Sequence, residues 1–181
     1  NYKDIIFAKK KNLKENLIKR LEIDEKKLIN IVKSINQIIK ISDPTNKVLN
    51  KWKRPNGLVI QKVTVPIGVI AVIYESRPNV TSDIASLCFK SGNAVILRGG
   101  SEALNTNKII SNLFRLSLKN CGVDKNFVQF IDSKNRKIVD NLLSKMKGYI
   151  DLVIPRGGKS LLQKVDKIST IPYIGHLEGI C

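Results

Sequence analysis

Four short apolar runs, each followed by a segment with helical texture, constrain this chain more than any other feature. They are VIAVIY at 69–74, NAVIL at 93–97, FVQFI at 127–131 and YIDLVI at 149–154. Runs of this kind suit strands covered on both faces, as in a parallel sheet, where neither side of the strand meets water. Between them, residues 80–91, 103–119 and 134–146 carry helical spacing, and 159–165 starts another helix. Strands separated by helices of about 10 to 15 residues need right-handed crossovers. The pattern predicts an α/β fold with a Rossmann-like, doubly wound parallel sheet.

The first third of the chain reads differently. Leu13, Leu17 and Leu21 recur every fourth residue. Asp24 is a natural N-cap for a helix carrying Leu28, Ile31, Val32, Ile35 and Ile38, and Ser42-Asp43-Pro44 stops it. Residues 1–54 are expected to be a helical lead-in whose apolar stripe packs on a main domain of residues 55–181. That domain opens with LVIQKVTV at 58–65, a β-branched, strand-like stretch broken by Pro66 and Gly68. A chain of 181 residues fits one domain or slightly more at about 150 residues each. It is long enough to bury roughly 70% of the surface its unfolded form exposes.

Composition narrows the function classes. The three cysteines have no CxxC spacing, and the single His176 leaves no metal site to expect within this chain. Unpaired thiols fit a reduced, cytoplasmic setting. The formal charge of +17 would suit nucleic acid, but lysine is spread along the whole sequence beside abundant Asn and Ile. All three residues have A/T-rich codons, and no aromatic-interleaved basic patch accompanies them, so no nucleic-acid partner is expected. No run approaches the ~18 apolar residues of a membrane span, and none is a signal peptide. The chain begins without Met and stops at Cys181, directly after Ile180, so both ends read as cut.

Chemistry is expected at the strand exits. After NAVIL come Arg98, Gly99, Gly100, Ser101 and Glu102. Paired glycines let a ligand approach the backbone and tolerate positive φ, Ser101 can cap the next helix, and that helix's N-terminal amides attract phosphate. The segment is not GxGxxG, and a plain tight turn would look the same. A second exit repeats it: after DLVI come Pro155, Arg156, Gly157, Gly158, Lys159 and Ser160. Two such corners can line one crevice at the carboxyl edge of a parallel sheet, where open α/β folds bind ligands. At a third exit, Arg77 can pair with a carboxylate or phosphate, and Asn79 can donate its amide to an oxyanion. Equally, Pro78 and Asn79 make a turn in which Glu75 pairs with Arg77. The spacing of His176, Glu178 and Cys181 gives no reason for these side chains to converge.

Together, VPIGVIAVIYESRPNVTSDIASLCFKSGNAVILRGGSEALNTN, DLVIPRGGKSLLQ and IPYIGHLEGIC resemble the γ-glutamyl phosphate reductase family of the aldehyde dehydrogenase superfamily. The similarity runs from about Leu58 to Cys181, with residues 1–54 fitting more loosely. The resemblance implies an aldehyde-dehydrogenase-type fold and an NADPH-dependent reduction of γ-glutamyl phosphate to glutamate 5-semialdehyde, within proline synthesis. In that family a thiolate displaces phosphate and hydride reduces the resulting thioester. It places Arg98, Gly99, Gly100, Ser101 and Glu102 at the adenosine side, and Pro155, Arg156, Gly157, Gly158, Lys159 and Ser160 beside the pyrophosphate. It also implies Asn79 as the oxyanion donor, Arg77 on the substrate, Glu178 at a general-base position, and homo-oligomers. Glutamate 5-kinase is the implied protein partner. Cys181 matches a structural cysteine, and the nucleophile is expected further along the family's sequence. The alternative is a nucleotide-binding relic without catalysis.

Overall fold

The computed structural model describes residues 1–175. Three helices come first: α1 (Tyr2–Lys10), α2 (Glu15–Leu21) and α3 (Glu25–Lys40). Asp24 caps α3 by accepting from the Lys27 backbone N–H at 2.7 Å, as its position in the sequence predicts. The expected helical run ends there. Strand β1 (Val48–Lys53) pairs antiparallel with β2 (Val59–Val63) through a Pro55-Asn56-Gly57 turn. The lead-in is therefore not wholly helical: every residue of β1 is exposed, and the hairpin stands apart from the main sheet.

The main sheet contains β3 (Val69–Tyr74), β4 (Ala94–Arg98), β5 (Val128–Phe130) and β6 (Leu152–Arg156), all parallel and in the order β5-β4-β3-β6. Residues 172–174 extend it beside β6, where Val153 bridges to Tyr173. Helices α4 (Pro78–Lys90) and α5 (Leu104–Asn120) connect β3 to β4 and β4 to β5. Helix α6 (Lys137–Lys145) leads back to β6, and α7 (Lys159–Ile168) follows it. Strand periodicity sorts the two faces. Ile70, Val72, Tyr74, Val95 and Leu97 pack in one apolar layer with Val80, Ala85 and Leu118 of α4 and α5. Ala71, Ile73 and Val153 pack on the other face against Val139, Leu143 and Val165 of α6 and α7. Helices on both faces make the sheet doubly wound, as the apolar runs predict.

Local chemistry fixes the boundaries. Pro78 occupies the first turn of α4, where its missing N–H costs nothing, so the expected turn at Pro78-Asn79 is a helix start. Helix α6 begins at Lys137 rather than residue 134, because Ser133 and Asn135 form side-chain-supported turns first. Gly68, at φ +125°, must be glycine: a Cβ there would lie 2.1 Å from Asp151 Oδ2. That carboxylate accepts from the Val69 N–H at 2.8 Å and starts β3.

The lead-in packs by less of its stripe than expected. Ile38 is buried and Ile31 and Ile35 are half-buried, but Leu28 and Val32 are exposed, so only part of the stripe on α3 is covered. Leu21 joins Ala8 and Ala103 in a small apolar cluster. No helix among the described residues is long and apolar enough to cross a membrane.

Candidate functional site

The strand order places a topological switch between β3 and β6: the chain leaves β3 toward β4 and returns on its other side. At the carboxyl ends of these strands lies a cavity of about 600 Å³. Arg98, Gly100, Ser101 and Glu102 line it from the exit of β4, and Gly158 and Ser160 from the exit of β6. Each corner thus contributes part of its residues to one hollow. Ile73, Tyr74, Glu75, Ser76 and Arg77 form its floor, Leu13, Leu17 and Leu21 its apolar wall, and Arg136 and Lys164 a further edge. Lys164 is ion-paired with Asp140 of α6.

The expected residues divide among three hollows. Arg156 and Gly157 line a smaller one of about 320 Å³ with Glu75 and Arg77. Asn79 lines a different cavity, of about 570 Å³, between α4 and the segment from Lys19 to Ser34. Arg20 and Arg77 line both this cavity and the first, and link them. Gly99, Pro155 and Lys159 line none of the three. Glu178 and Cys181, to which the resemblance assigns positions, lie outside the described residues.

Four expectations about local mechanism need correction. The glycines do not adopt positive φ at either corner, and protein packing demands three of the four. A Cβ on Gly99 would meet Asn107 Nδ2 at 2.2 Å, one on Gly100 Ser76 Oγ at 2.2 Å, and one on Gly157 Leu161 Cδ2 at 2.9 Å. Ser101 does not cap α5; it opens a short 3₁₀ turn and donates to Glu102 Oε1 at 2.9 Å. The first turn of α5 is also closed to a ligand, because Asp4 accepts from the Asn105 and Thr106 backbone N–H groups. An anion site there is filled by the protein's own carboxylate. Helix α7 differs: it starts without a side-chain cap, with Gly158 N–H donating to Glu75 Oε1 at 2.8 Å. Glu75 is therefore tied to the β6 corner, and no ion pair joins it to Arg77 among the described residues.

The charges in the main cavity are individually constrained. Arg98 is 8% exposed, and its Nη1 donates to Gly99 O at 2.6 Å. Its Nε is buried with no partner among the described residues. Burial is the main cause that pulls its pKa below the usual guanidinium value. Burial alone would raise the Glu102 carboxyl, but hydrogen bonds from Ser76 and Ser101 outweigh it and hold the group below its ordinary value. Ser76 donates to Glu102 Oε2 at 2.6 Å. Tyr74, whose hydroxyl bonds to Thr81 at 2.8 Å, is pushed up to about 12 by burial.

A chain with this site geometry has close relatives. A curated γ-glutamyl phosphate reductase from Thermoanaerobacter sp. (strain X514) is 48% identical over 181 residues, which is 100% of this chain and 44% of the relative. The chain is a homologue of that reductase. The crystal structure of γ-glutamyl phosphate reductase from Thermotoga maritima matches with a TM-score of 0.90 at 40% identity, covering 94% of this chain and 41% of that one. A probable aldehyde dehydrogenase from Listeria monocytogenes, at 18% identity and a TM-score of 0.64, covers 81% of this chain and 31% of its own, and shares the fold. No family model matches. The chain spans less than half the length of the reductase relatives it matches. The similarity includes residues 1–54.

The sequence pointed to both corners but not to Arg20, Ser76, Arg136 or Asp4 as their neighbours. Ser76 and Arg136 lie within segments already singled out as strand exit and helix start, so position in the α/β pattern was a usable signal. Arg20 and Asp4 had none. Among the described residues, no cluster of three or more His, Cys, Asp or Glu could hold a metal ion.

Proposed function

We propose that this chain forms the NADPH-binding part of a γ-glutamyl phosphate reductase, with residues 1–54 as its lead-in. The complete activity is reduction of γ-glutamyl phosphate to glutamate 5-semialdehyde with release of phosphate, in proline synthesis. One observation carries the reading: Arg98 and Gly100 of one corner and Gly158 of the other line one cavity beside the switch point of a doubly wound sheet. The homology supports the reaction, and the cavity supports a dinucleotide.

The donors fit the cofactor. Arg98 offers a buried Nε without a partner among the described residues, and the first turn of α7, past the Gly158 N–H that Glu75 engages, offers a partial positive charge. When bound, NADPH supplies the hydride. Arg98, Ser101 and Glu102 hold the ribose end, and the turn through Gly158 and Ser160 faces the pyrophosphate. Arg77, at the link between the two larger cavities, holds the anionic end of the substrate, and Asn79 donates to the oxyanion from the second cavity. Neither described cysteine suits the nucleophile. Cys88 is buried and pushed up to about 11, and Cys121 lines none of the cavities. The nucleophile therefore belongs outside the described residues.

The test is a fluorescence titration of the chain with NADPH. Saturable binding is expected, weakened about tenfold in Arg156→Ala by loss of a charged contact. Absence of binding would end the reading, and an unchanged affinity in the variant would remove the β6 corner from the site.

A further inference from the structure

We infer that Asp83 is the seat for the α-ammonium of the amino-acid substrate, and so selects a free amino acid over a plain or N-acylated carboxylic acid. This rests on the reading above, in which Arg77 and Asn79 address the substrate from the second cavity, and adds the residue that recognises its amino group.

Two helix faces build that cavity. Asn79 and Asp83 stand one turn apart on α4, and Asn30 and Ser34 one turn apart on α3; all four line the hollow of about 570 Å³. Asp83 is half-buried, and Ser34 Oγ donates to its Oδ1 at 2.8 Å. Among the described residues no ion pair and no second hydrogen bond engages this carboxylate. Lys27 of the same lining is occupied, since its Nζ donates to the Lys19 and Glu22 carbonyls at 2.8 and 2.7 Å. Glu22, the other acid of the lining, is exposed, and water competes for it. A carboxylate partly withdrawn from water, with one oxygen unmatched, calls for a cationic donor from outside the protein.

The helix spacing identifies which cation. Four residues along α4 advance about 6 Å. A glutamyl chain carries its α-nitrogen four bonds from the acyl carbon, about 5 Å away when extended, at roughly 1.5 Å per bond. With the acyl oxygen at Asn79, the α-ammonium therefore reaches the level of Asp83. Ile23 and Ile31 of the lining offer apolar contact to the methylenes between the two ends. Arg77, two residues before Asn79, stands at the acyl end, where the phosphate is. A few polar groups set at fixed spacing in a partly apolar hollow are what orient a small ligand. N-acylation removes the positive charge and leaves the carboxylate unpaired, which is a cost rather than a lost gain alone.

The experiment titrates the full chain with L-glutamate, N-acetyl-L-glutamate and glutarate, followed by heteronuclear NMR. L-Glutamate is expected to shift the Asn79 and Asp83 amide signals and to bind about tenfold more tightly than either other acid, as a charge-assisted hydrogen bond provides. Asp83→Asn keeps an acceptor for Ser34, and should bring L-glutamate to within about twofold of glutarate without weakening glutarate. Asp83→Glu, which keeps the charge on a longer arm, should restore part of the preference. A merely structural Asp83 would instead move all three affinities together. A chain that binds NADPH but takes the three acids equally or not at all would overturn the inference and leave the cofactor reading standing. An unchanged preference in Asp83→Asn would do the same. A chain that separates the acids but binds no NADPH would end the cofactor reading instead, and one that binds none of these ligands loses both.

Discussion

Asp4 and Thr106, 102 positions apart in sequence, share two hydrogen bonds: the Thr106 backbone N–H donates to Asp4 Oδ2 at 2.7 Å and its hydroxyl at 2.6 Å. Asn105 adds two more at Oδ1, from its backbone at 3.1 Å and its side chain at 2.7 Å. A carboxylate here satisfies orphan amides at the start of α5 and complements the helix dipole. The first helix of the chain is thereby pinned beside the cavity by a charge that an external anion would otherwise supply.

Replacing that carboxylate should be costly. Asp4 is 1% exposed and accepts four hydrogen bonds. Asp4→Ala is expected to destabilise the chain by about 3 kcal/mol, and Asp4→Asn by less, in urea unfolding. Amide exchange at Asn105 and Thr106 should accelerate in both. A loss below about 0.5 kcal/mol, the level of an ordinary surface change, would show that α5 does not depend on this cap.

The four glycines of the corners should differ in tolerance. A methyl group on Gly100 would sit 2.2 Å from Ser76 Oγ and 3.0 Å from the Ser76 backbone nitrogen, whereas on Gly158 the nearest atom is Glu75 Oε1 at 3.7 Å. Gly100→Ala is expected to cost about 1 to 3 kcal/mol, as overpacking does, and to displace Ser76 from Glu102. Gly158→Ala should stay within about 0.5 kcal/mol of the parent. Equal thermal shifts for the two variants would contradict the packing argument.

Cys88 gives a pH dependence with a definite sign. Burial pushes its thiol from 9.0 to about 11. Above pH 9 the unfolded chain releases this proton while the folded chain keeps it, so stability falls as pH rises through that interval and is fully present below it. The loss amounts to about 2 to 3 kcal/mol at 1.36 per pKa unit. Cys88→Ala should flatten this part of the stability profile, although Tyr74, raised from 10.0 to about 12, begins to contribute above pH 10. Alkylation kinetics offer a second check: the exposed Cys121 should react at neutral pH and the buried Cys88 should not.

Ser76 should control the titration of Glu102. Its hydrogen bond is the largest of the causes that hold the carboxyl below its ordinary value against the opposing effect of burial. Ser76→Ala should therefore raise the Glu102 pKa, so the carboxylate protonates earlier as pH falls. NMR titration of the side-chain carboxyl would follow it, and a lower or unchanged value in the variant would assign the depression to another group.

Much of the fold was legible because it is local. Apolar runs such as VIAVIY and helical spacing such as that of α4 and α5 depend on residues within a few positions of one another, and the parallel sheet follows from their alternation. The motif strings at the two corners pointed to the edge of one cavity for the same reason. What each corner residue does was not legible. Gly99 and Gly100 leave room for Asn107 and Ser76, Ser101 turns to Glu102 rather than to α5, and Asn79 opens on a second cavity. Residues 48–53 became a strand because a partner at 59–63 was within reach across a tight turn, which helical texture nearby did not reveal.

The sequence alone determined the order of elements and the places where strands end, since these are set by short-range periodicity and by the backbone limits of proline and glycine. The folded chain decided which groups meet: the Asp4 carboxylate with Thr106, Glu75 with the Gly158 amide, Ser76 with Glu102. Such meetings depend on how the sheet twists and which face each helix covers. Electrostatic partners act through space at a few ångströms, and spacing along the chain carries no record of that distance.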